Sequence, residues 1–492
     1  MIGQLVMVDI PDTRLSSETK AHLERYKPGG IILFRKNLVS LEQGKALILE
    51  LKALLGENLL LAIDMEGGGV WRTNFLPYAP SAMSLGAAND PALAREIGAL
   101  VGRGLRALGV NWNFAPVLDV NNNPSNPVIS DRSFGENPQQ VAALGLAWAE
   151  GLMSAGVAAC AKHFPGHGDT HLDSHLALPT VTRNLEGLEE YELVPFRAAV
   201  ATDLPSIMTA HIVYPAIDPE FPATLSKKIL TGLLRERAKY KGVIVTDSMG
   251  MDAIDKNYGR GQAAILSLLA GADMIEALGS QESQIQTFLA LEAATRDGRI
   301  SPERIQESLE RLENLAKRFP IAPLEYSLEQ MNTDSKTMQA AWQRGIVAHN
   351  NPVLPVLGSS LTLLVAEEVQ SENVSELGIS GSSLAAALSS LYEVQTIFYD
   401  QKNPLGALEQ VQNTMQPMIF ASTTRRRLSG EAKALAQAAK PALHLALWNA
   451  YNVLDVPAPA LITFGYRPEA ISALLEILRG TEITGIAPIQ LE

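Results

Sequence analysis

A chain of 492 residues is too long for one ordinary hydrophobic core, so two domains are expected. Apolar residues make up 47% and charged residues 19%, the balance of a folded globular protein and not of a disordered chain. A net charge of −13, with no Lys/Arg run long enough to track a phosphate backbone, argues against nucleic acid as a partner.

Cys160 is the sole cysteine, so no intrachain disulfide can form, which suits a reducing compartment. The first residues, MIGQLVMVDIPDT, carry no basic stretch and no apolar run ending at a small-residue cleavage site. They do not read as a signal peptide, and a cytoplasmic protein is expected. The longest apolar region, around Ile265–Leu278, is broken by Asp273 and Glu276 and is too short to span a bilayer.

From the N-terminus, short runs rich in Val, Ile and Leu alternate with helix-like stretches. Strands are predicted at Leu5–Ile10, Gly30–Phe34, Leu59–Glu66, Val110–Val120, Ala158–Phe164, Ser206–Ile212, Gly242–Asp247 and Ala272–Ala277. Runs apolar on both faces fit a parallel sheet covered by helices. Eight of them over about 300 residues fit a (β/α)₈ TIM barrel, although the spacing alone also permits a doubly wound sheet.

The run ends favour the barrel. Asp64, Asp119, Lys162, His163, His211 and Asp247 fall where their strands finish, and barrel chemistry sits at that face because the βα loops converge there. A single Asp at a strand end also reads as a helix N-cap or a turn former. Six polar endings on five strands read better as a site.

The last barrel helix is predicted at Ser301–Arg318, with Ser301 as N-cap and Pro302 at the first helical position. Phe319-Pro320-Ile321-Ala322-Pro323 stops it. The expected division is a barrel over residues 1–318, a linker over 319–334 and a smaller α/β domain over 335–492. In the last, strands are predicted at Leu361–Ala366, Val394–Tyr399, Met418–Ala421, Ala442–Leu447 and Leu461–Phe464. Its Ser/Gly stretch, Gly378–Ser383, reads as a helix N-terminus before it reads as an anion cradle. There is no nucleotide-binding glycine fingerprint, and no cofactor is expected.

The densest chemistry lies in Lys162-His163-Phe164-Pro165-Gly166-His167-Gly168-Asp169-Thr170-His171-Leu172-Asp173-Ser174-His175. Histidines 163, 167, 171 and 175 have the i, i+4 rhythm of a metal-binding helix face. Pro165, Gly166 and Gly168 break such a helix, so no metal site is expected. The segment reads instead as a strand end followed by a glycine-hinged loop that places a histidine over a bound substrate.

This segment resembles the signature K-H-F-P-G-H-G-D-T-x-x-D-S-H of family 3 glycoside hydrolases, in the branch of bacterial β-N-acetylglucosaminidases that act on cell-wall fragments. The agreement is unbroken from Lys162 to His175. Asp64-Met65-Glu66-Gly67-Gly68 is similar to the family's D-Q-E-G-G. Asn113–Val120, Asn126–Ile129 and Arg132–Gly135 resemble its fourth-strand segment. Met208–His211 and Val245–Met251 resemble its sixth and seventh strand ends. The likeness covers residues 1 to about 320, whereas the C-terminal part matches the two-domain members in pattern only.

The resemblance implies roles residue by residue. Asp247 is the nucleophile, which suits a retaining glycosidase: a carboxylate attacks below the anomeric carbon while a proton donor serves the leaving oxygen. This branch takes the donor from a loop histidine paired with an aspartate two residues earlier, which match His175 and Asp173. Imidazole, with an ordinary pKa of ~6.5, exchanges protons near neutrality, and a neighbouring carboxylate orients it and favours its charged form.

The sugar-holding positions match Asp64, which can accept from hydroxyls, and Arg132, Lys162 and His163, which can donate. Asp169 and Thr170 shape the loop. His167 and His211 read as buried, hydrogen-bonded histidines.

Gly67–Arg72 depart from the family's G-G-R-V-Q-R at two positions, and Met65 departs from its D-Q-E-G-G. Gly69 removes a cation, Met65 replaces a polar residue, and Trp71 adds an aromatic face that either stacks on a sugar or fills core.

The expected activity is that of a retaining exo-β-N-acetylglucosaminidase, releasing terminal β-linked N-acetylglucosamine from cell-wall fragments, as in peptidoglycan recycling, without metal or cofactor. The rivals are a β-glucosidase of the same family, a phosphorolytic N-acetylglucosaminidase, and a silent sugar-binding protein. The pattern specifies neither the natural glycan nor an oligomeric state.

Overall fold

The computed structural model describes residues 2–170, 178–368 and 375–492. Its N-terminal sheet contains β1 (Val6–Asp9), β2 (Gly30–Leu33), β3 (Leu60–Ile63), β4 (Trp112–Asn113), β5 (Ala158–Phe164), β6 (Ser206–Thr209), β7 (Val243–Val245) and β8 (Ile275–Glu276). The strands are all parallel, in the order β8-β1-β2-β3-β4-β5-β6-β7.

The two ends of that order meet. Val245 bridges to Met274, the Thr246 N–H donates to the Met274 carbonyl at 3.0 Å, and the Asp273 N–H donates to the Ile244 carbonyl at 2.7 Å. The sheet therefore closes into a barrel, which settles the choice between barrel and doubly wound sheet.

Each strand is buried on both faces because helices cover it outside and side chains fill it inside. The predicted strand Val110–Val120 contracts to β4, where the Ala115 N–H turns back to the Asn113 carbonyl, and beyond it Val117 makes an isolated parallel bridge to Lys162. Between β6 and β7 the chain inserts an antiparallel pair, Val213–Tyr214 with Asp218–Pro222, that the apolar pattern did not reveal. Ser301 caps the helix Pro302–Arg318, its Oγ accepting the Arg304 N–H at 3.2 Å.

The helix Leu328–Arg344 begins inside the stretch read as a linker. Met338 and Ala341 lie in the barrel's core, and Trp342 lies in the core that follows. One helix thus serves both units.

The second sheet contains β9 (Val347–His349), β10 (Ser360–Ala366), β11 (Glu393–Tyr399), β12 (Met418–Ser422), β13 (Leu443–Ala446) and β14 (Ala460–Ile462). Its order is β9-β14-β13-β12-β10-β11, parallel except for the antiparallel edge strand β9. Ser380 caps the helix Gly381–Leu388, its Oγ accepting the Ser383 N–H at 3.2 Å, so the Ser/Gly stretch is a helix start.

This unit grips the barrel loops after β3 and β4. Arg467 donates to the carbonyls of Gly68 at 2.9 Å and Gly69 at 3.2 Å. Ser81 Oγ donates to the Phe464 carbonyl at 2.7 Å, and Asn121 Nδ2 donates to the Tyr451 hydroxyl at 3.0 Å.

Candidate active site

A cavity of about 680 Å³ opens at the C-terminal ends of the barrel strands, within the range of roughly 300–1,000 Å³ common for small-molecule sites. Asp64, Arg132, Lys162, His163 and Asp247 all border it, so five predicted site residues from four strands converge on one space. Asp173 and His175 lie outside the described residues.

The floor is a buried ion network. Arg132 grips Glu66 with two hydrogen bonds of 2.8 Å. Lys162 Nζ donates to Asp64 Oδ1 at 2.7 Å and lies 2.7 Å from Glu66 Oε1. Burial alone pushes the Glu66 carboxyl up, but the charges of Arg132 and Lys162 outweigh it and hold the group well below the carboxylate range. Lys162 is likewise disfavoured as a cation by burial, and Asp64 and Glu66 more than restore it. Removing one member of such a buried set strands its partner and costs about 3–5 kcal/mol. Glu66 was visible only as a motif letter in the sequence, yet it is the hub of this network.

Behind the floor, Asp119 is fully buried. Its Oδ2 takes the His163 Nδ1–H at 2.7 Å, and its Oδ1 takes the backbone N–H groups of His163 at 3.1 Å and His167 at 2.6 Å. Burial raises the Asp119 carboxyl, but the His163 imidazole beside it wins, so Asp119 stays ionised and orients the ring. His163 Nε2 then faces Arg132 Nη2 at 3.5 Å.

His167 and His211 are the buried, bonded histidines expected. His167 Nδ1 meets Thr170 Oγ1 at 2.9 Å, and burial followed by the nearby His163 pushes its pKa down to about 4. His211 bonds Thr224 Oγ1 at 2.8 Å and donates to the Ser248 carbonyl at 2.9 Å, which steadies the backbone after Asp247.

The flanks of residues 171–177 are tied down. Asn126 Nδ2 donates to the carbonyls of His167 and Gly168, both at 2.9 Å. A Cβ on Gly168 would sit 1.7 Å from the Val120 carbonyl oxygen, so only glycine fits there. Arg183, on the far flank, reaches Asp169 Oδ2 at 3.1 Å. Among the described residues, no three His, Cys, Asp or Glu side chains gather to hold a metal.

Asp247 sits two residues beyond β7, with its Oδ1 accepting the Ser248 N–H at 2.7 Å. It caps no helix: the next one, Asp252–Tyr258, starts from Met251 without a side-chain cap. Beside it on the cavity wall is Glu276, only 3% exposed, with Oε1 lacking a hydrogen-bond partner among the described residues. Burial and then the neighbouring Asp247 and Asp64 push the Glu276 carboxyl well above its ordinary range, which favours its protonated form. Its only sequence signal was a charge interrupting the last apolar strand.

The departures from the family motif also resolve. Trp71 is 1% exposed and fills core. A Cβ on Gly69 would already lie 3.1 Å from the Trp448 ring of the second domain, so the space a longer side chain would need is taken. Cations return to this wall from Arg35 and Arg72, neither singled out from the sequence. Arg72 Nη1 donates to Glu376 Oε1 at 2.9 Å, and its Nη2 lies 3.8 Å from Asp64 Oδ2.

Residues 1–315 match the glycosyl hydrolase family 3 N-terminal domain. The chain belongs to glycosyl hydrolase family 3. Within the family, a β-hexosaminidase A of Pseudoalteromonas piscicida is 37% identical over 336 residues, 63% of this chain and 56% of that protein. A β-hexosaminidase of Alkalilimnicola ehrlichii is 42% identical over 283 residues, 56% of this chain and 80% of that protein. The solved structure of a family 3 β-N-acetylglucosaminidase from a Paenibacillus species is 35% identical, with a TM-score of 0.92, and covers 100% of this chain and 98% of its own. A β-glucoside phosphorylase at 20% identity and a TM-score of 0.84 shares the fold. Family 3 membership makes the chain a glycoside hydrolase, as the motif implied, and the Paenibacillus structure shares its fold over the whole length.

Proposed function

We propose that this chain is a retaining exo-β-N-acetylglucosaminidase acting on cell-wall-derived fragments in the cytoplasm. The reading rests on one cavity that collects Asp64, Arg132, Lys162, His163 and Asp247 at the barrel mouth, in a chain similar to β-hexosaminidases and to a β-N-acetylglucosaminidase. No helix among the described residues is long and apolar enough to cross a membrane.

In this reading residues 1–318 carry the chemistry and residues 335–492 form the second unit. The sugar lies over the Asp64–Lys162–Arg132 floor, where one acceptor and two buried donors meet its hydroxyls. Asp247 attacks the anomeric carbon as the bond to the leaving oxygen breaks, and His175, held by Asp173, gives that oxygen its proton. Water then attacks the glycosyl-enzyme, returning a proton to His175 and freeing Asp247. Lys162 and Arg132, balanced by Asp64 and Glu66, offer N–H donors to the ring, and the raised pKa of Glu276 disfavours a second anion beside the nucleophile.

The test compares aryl β-N-acetylglucosaminide with aryl β-glucoside, each with and without phosphate. Faster turnover of the N-acetylglucosaminide to free sugar is the expected result. Preference for the glucoside, or a sugar 1-phosphate product, overturns the reading.

A further inference from the structure

The barrel does not enclose its cavity alone. Ser375 and Glu376, from the second domain, complete one wall. The backbone of Glu376 is pinned on both sides: its N–H donates to the Gly69 carbonyl at 3.0 Å, and its carbonyl accepts the Tyr466 hydroxyl at 3.0 Å. The side chain therefore enters the cavity from a fixed point.

The carboxylate keeps acceptor capacity there. Oε1 takes one hydrogen bond from Arg72. Oε2 lies 3.3 Å from Arg35 Nε, but that N–H is not aimed at it and has no hydrogen-bond partner among the described residues. An ionised carboxylate offers about four lone-pair sites, and among the described residues Arg72 takes one of them. Glu376, Arg72 and Asp64 form a line of acceptor, donor and acceptor along one wall, with 2.9 Å and 3.8 Å between successive charged groups. Such alternation suits a ring whose neighbouring hydroxyls each give and take a hydrogen bond.

We propose that Glu376 is a substrate-binding residue contributed by the second domain, accepting a hydrogen bond from one ring hydroxyl and holding Arg72 toward Asp64. The substrate is then recognised by both domains, and the second domain is part of the site. This rests on the sugar-hydrolase reading above. The bland alternative is that Glu376 only latches the two domains together through Arg72 and Arg35.

A deoxy-sugar cycle on the full chain separates the two. Wild type, Glu376→Ala and Glu376→Gln are compared on the aryl β-glycoside that wild type turns over best and on its monodeoxy analogues. Calorimetric binding of free N-acetylglucosamine and its deoxy forms runs in parallel and needs no turnover. Glu376→Ala is expected to raise KM and Kd by roughly 10–100-fold, the scale of a hydrogen bond to a charged group, with kcat changed by less than about threefold.

The decisive sign is in the pattern. One deoxy analogue that is poor for wild type should be no poorer than the parent sugar for Glu376→Ala, with Glu376→Gln recovering part of the discrimination. A latch instead lowers the melting temperature and weakens every analogue alike, which overturns the proposal, as does an unchanged KM and Kd. Wild-type failure on the N-acetylglucosaminide would count against the functional reading alone, since the cycle runs on whichever glycoside is turned over.

Discussion

The two sheets of this chain obey one rule and are used differently. Both are helix-covered, rich in Val, Ile and Leu, and parallel but for the edge strand β9 of the second. In the closed sheet, the C-terminal ends of β3, β5, β7 and β8 lead to Asp64, Lys162 and His163, Asp247 and Glu276, all around one cavity. In the open sheet the segments after β12 and β13 bring Arg427 and Asp455 together as an ion pair, and neither residue lines that cavity. The open sheet's buried His444 hydrogen-bonds Ser422 at 2.8 Å, and burial pushes its pKa down to about 3, the signature of a neutral core histidine. Closure gathers loop residues onto one mouth, whereas an open sheet spreads its strand ends along a line. The second domain contributes instead through Arg467, Trp448 and Glu376, which meet the barrel's loop after β3.

This contrast can be broken in order of expected effect. Asp247→Ala should lower kcat by more than about 10⁴-fold with the fold retained, and a 2-fluoro glycosyl fluoride should label Asp247 in the wild type. Labelling of Asp64 or Glu276 would move the nucleophile elsewhere on the same mouth. His175→Ala should cost about 10²–10⁴-fold on alkyl glycosides and far less on dinitrophenyl glycosides. Equal losses across a leaving-group series would reduce His175 to a positioning role.

Lys162→Met leaves Asp64 and Glu66 facing each other without their shared cation. Loss of about 3–5 kcal/mol of stability is expected, read by denaturant unfolding. A change below 1 kcal/mol would mean that the network is solvated like a surface pair.

Glu276 yields a pH test whose sign is defined. Its folded pKa lies above the unfolded value, so the native state keeps a proton that the unfolded chain releases above about pH 4.3. Its contribution is present below that pH and is lost as pH rises toward the folded value. Glu276→Gln should therefore gain stability over wild type as pH rises above about 4.3, by up to about 1.4 kcal/mol per pH unit. A pH-independent difference in melting temperature would show that Glu276 is ionised in the native cavity. The smallest effect belongs to the open sheet: His444→Val should leave kcat/KM within about threefold, because no charge near the cavity changes. A larger loss would make the second core part of the chemistry.

Much of the site was legible in the sequence because its residues terminate strands. A polar residue that ends an apolar run is at a mouth if the sheet closes, and Asp64, Lys162, His163 and Asp247 met there, joined by Arg132, which only the family resemblance had pointed to. The helix starts at Ser301 and Ser380 were equally local, since capping needs only the next few residues.

What the linear pattern left open depends on partners distant in the chain. Closure rests on Val245 meeting Met274 and on β8 pairing with β1, contacts that periodicity does not encode. Trp71 as core, Gly69 as clearance for Trp448, and the raised pKa of Glu276 follow from burial, which is set by the whole fold. Arg72 and Glu376 are 304 residues apart and meet only because two separately folded sheets dock. Hydrophobic period and capping are local properties of a chain, so the sequence alone specified the elements and their polar ends. Electrostatics and close packing act through space, so only the tertiary structure decided which of those ends share a cavity and what the second domain adds to it.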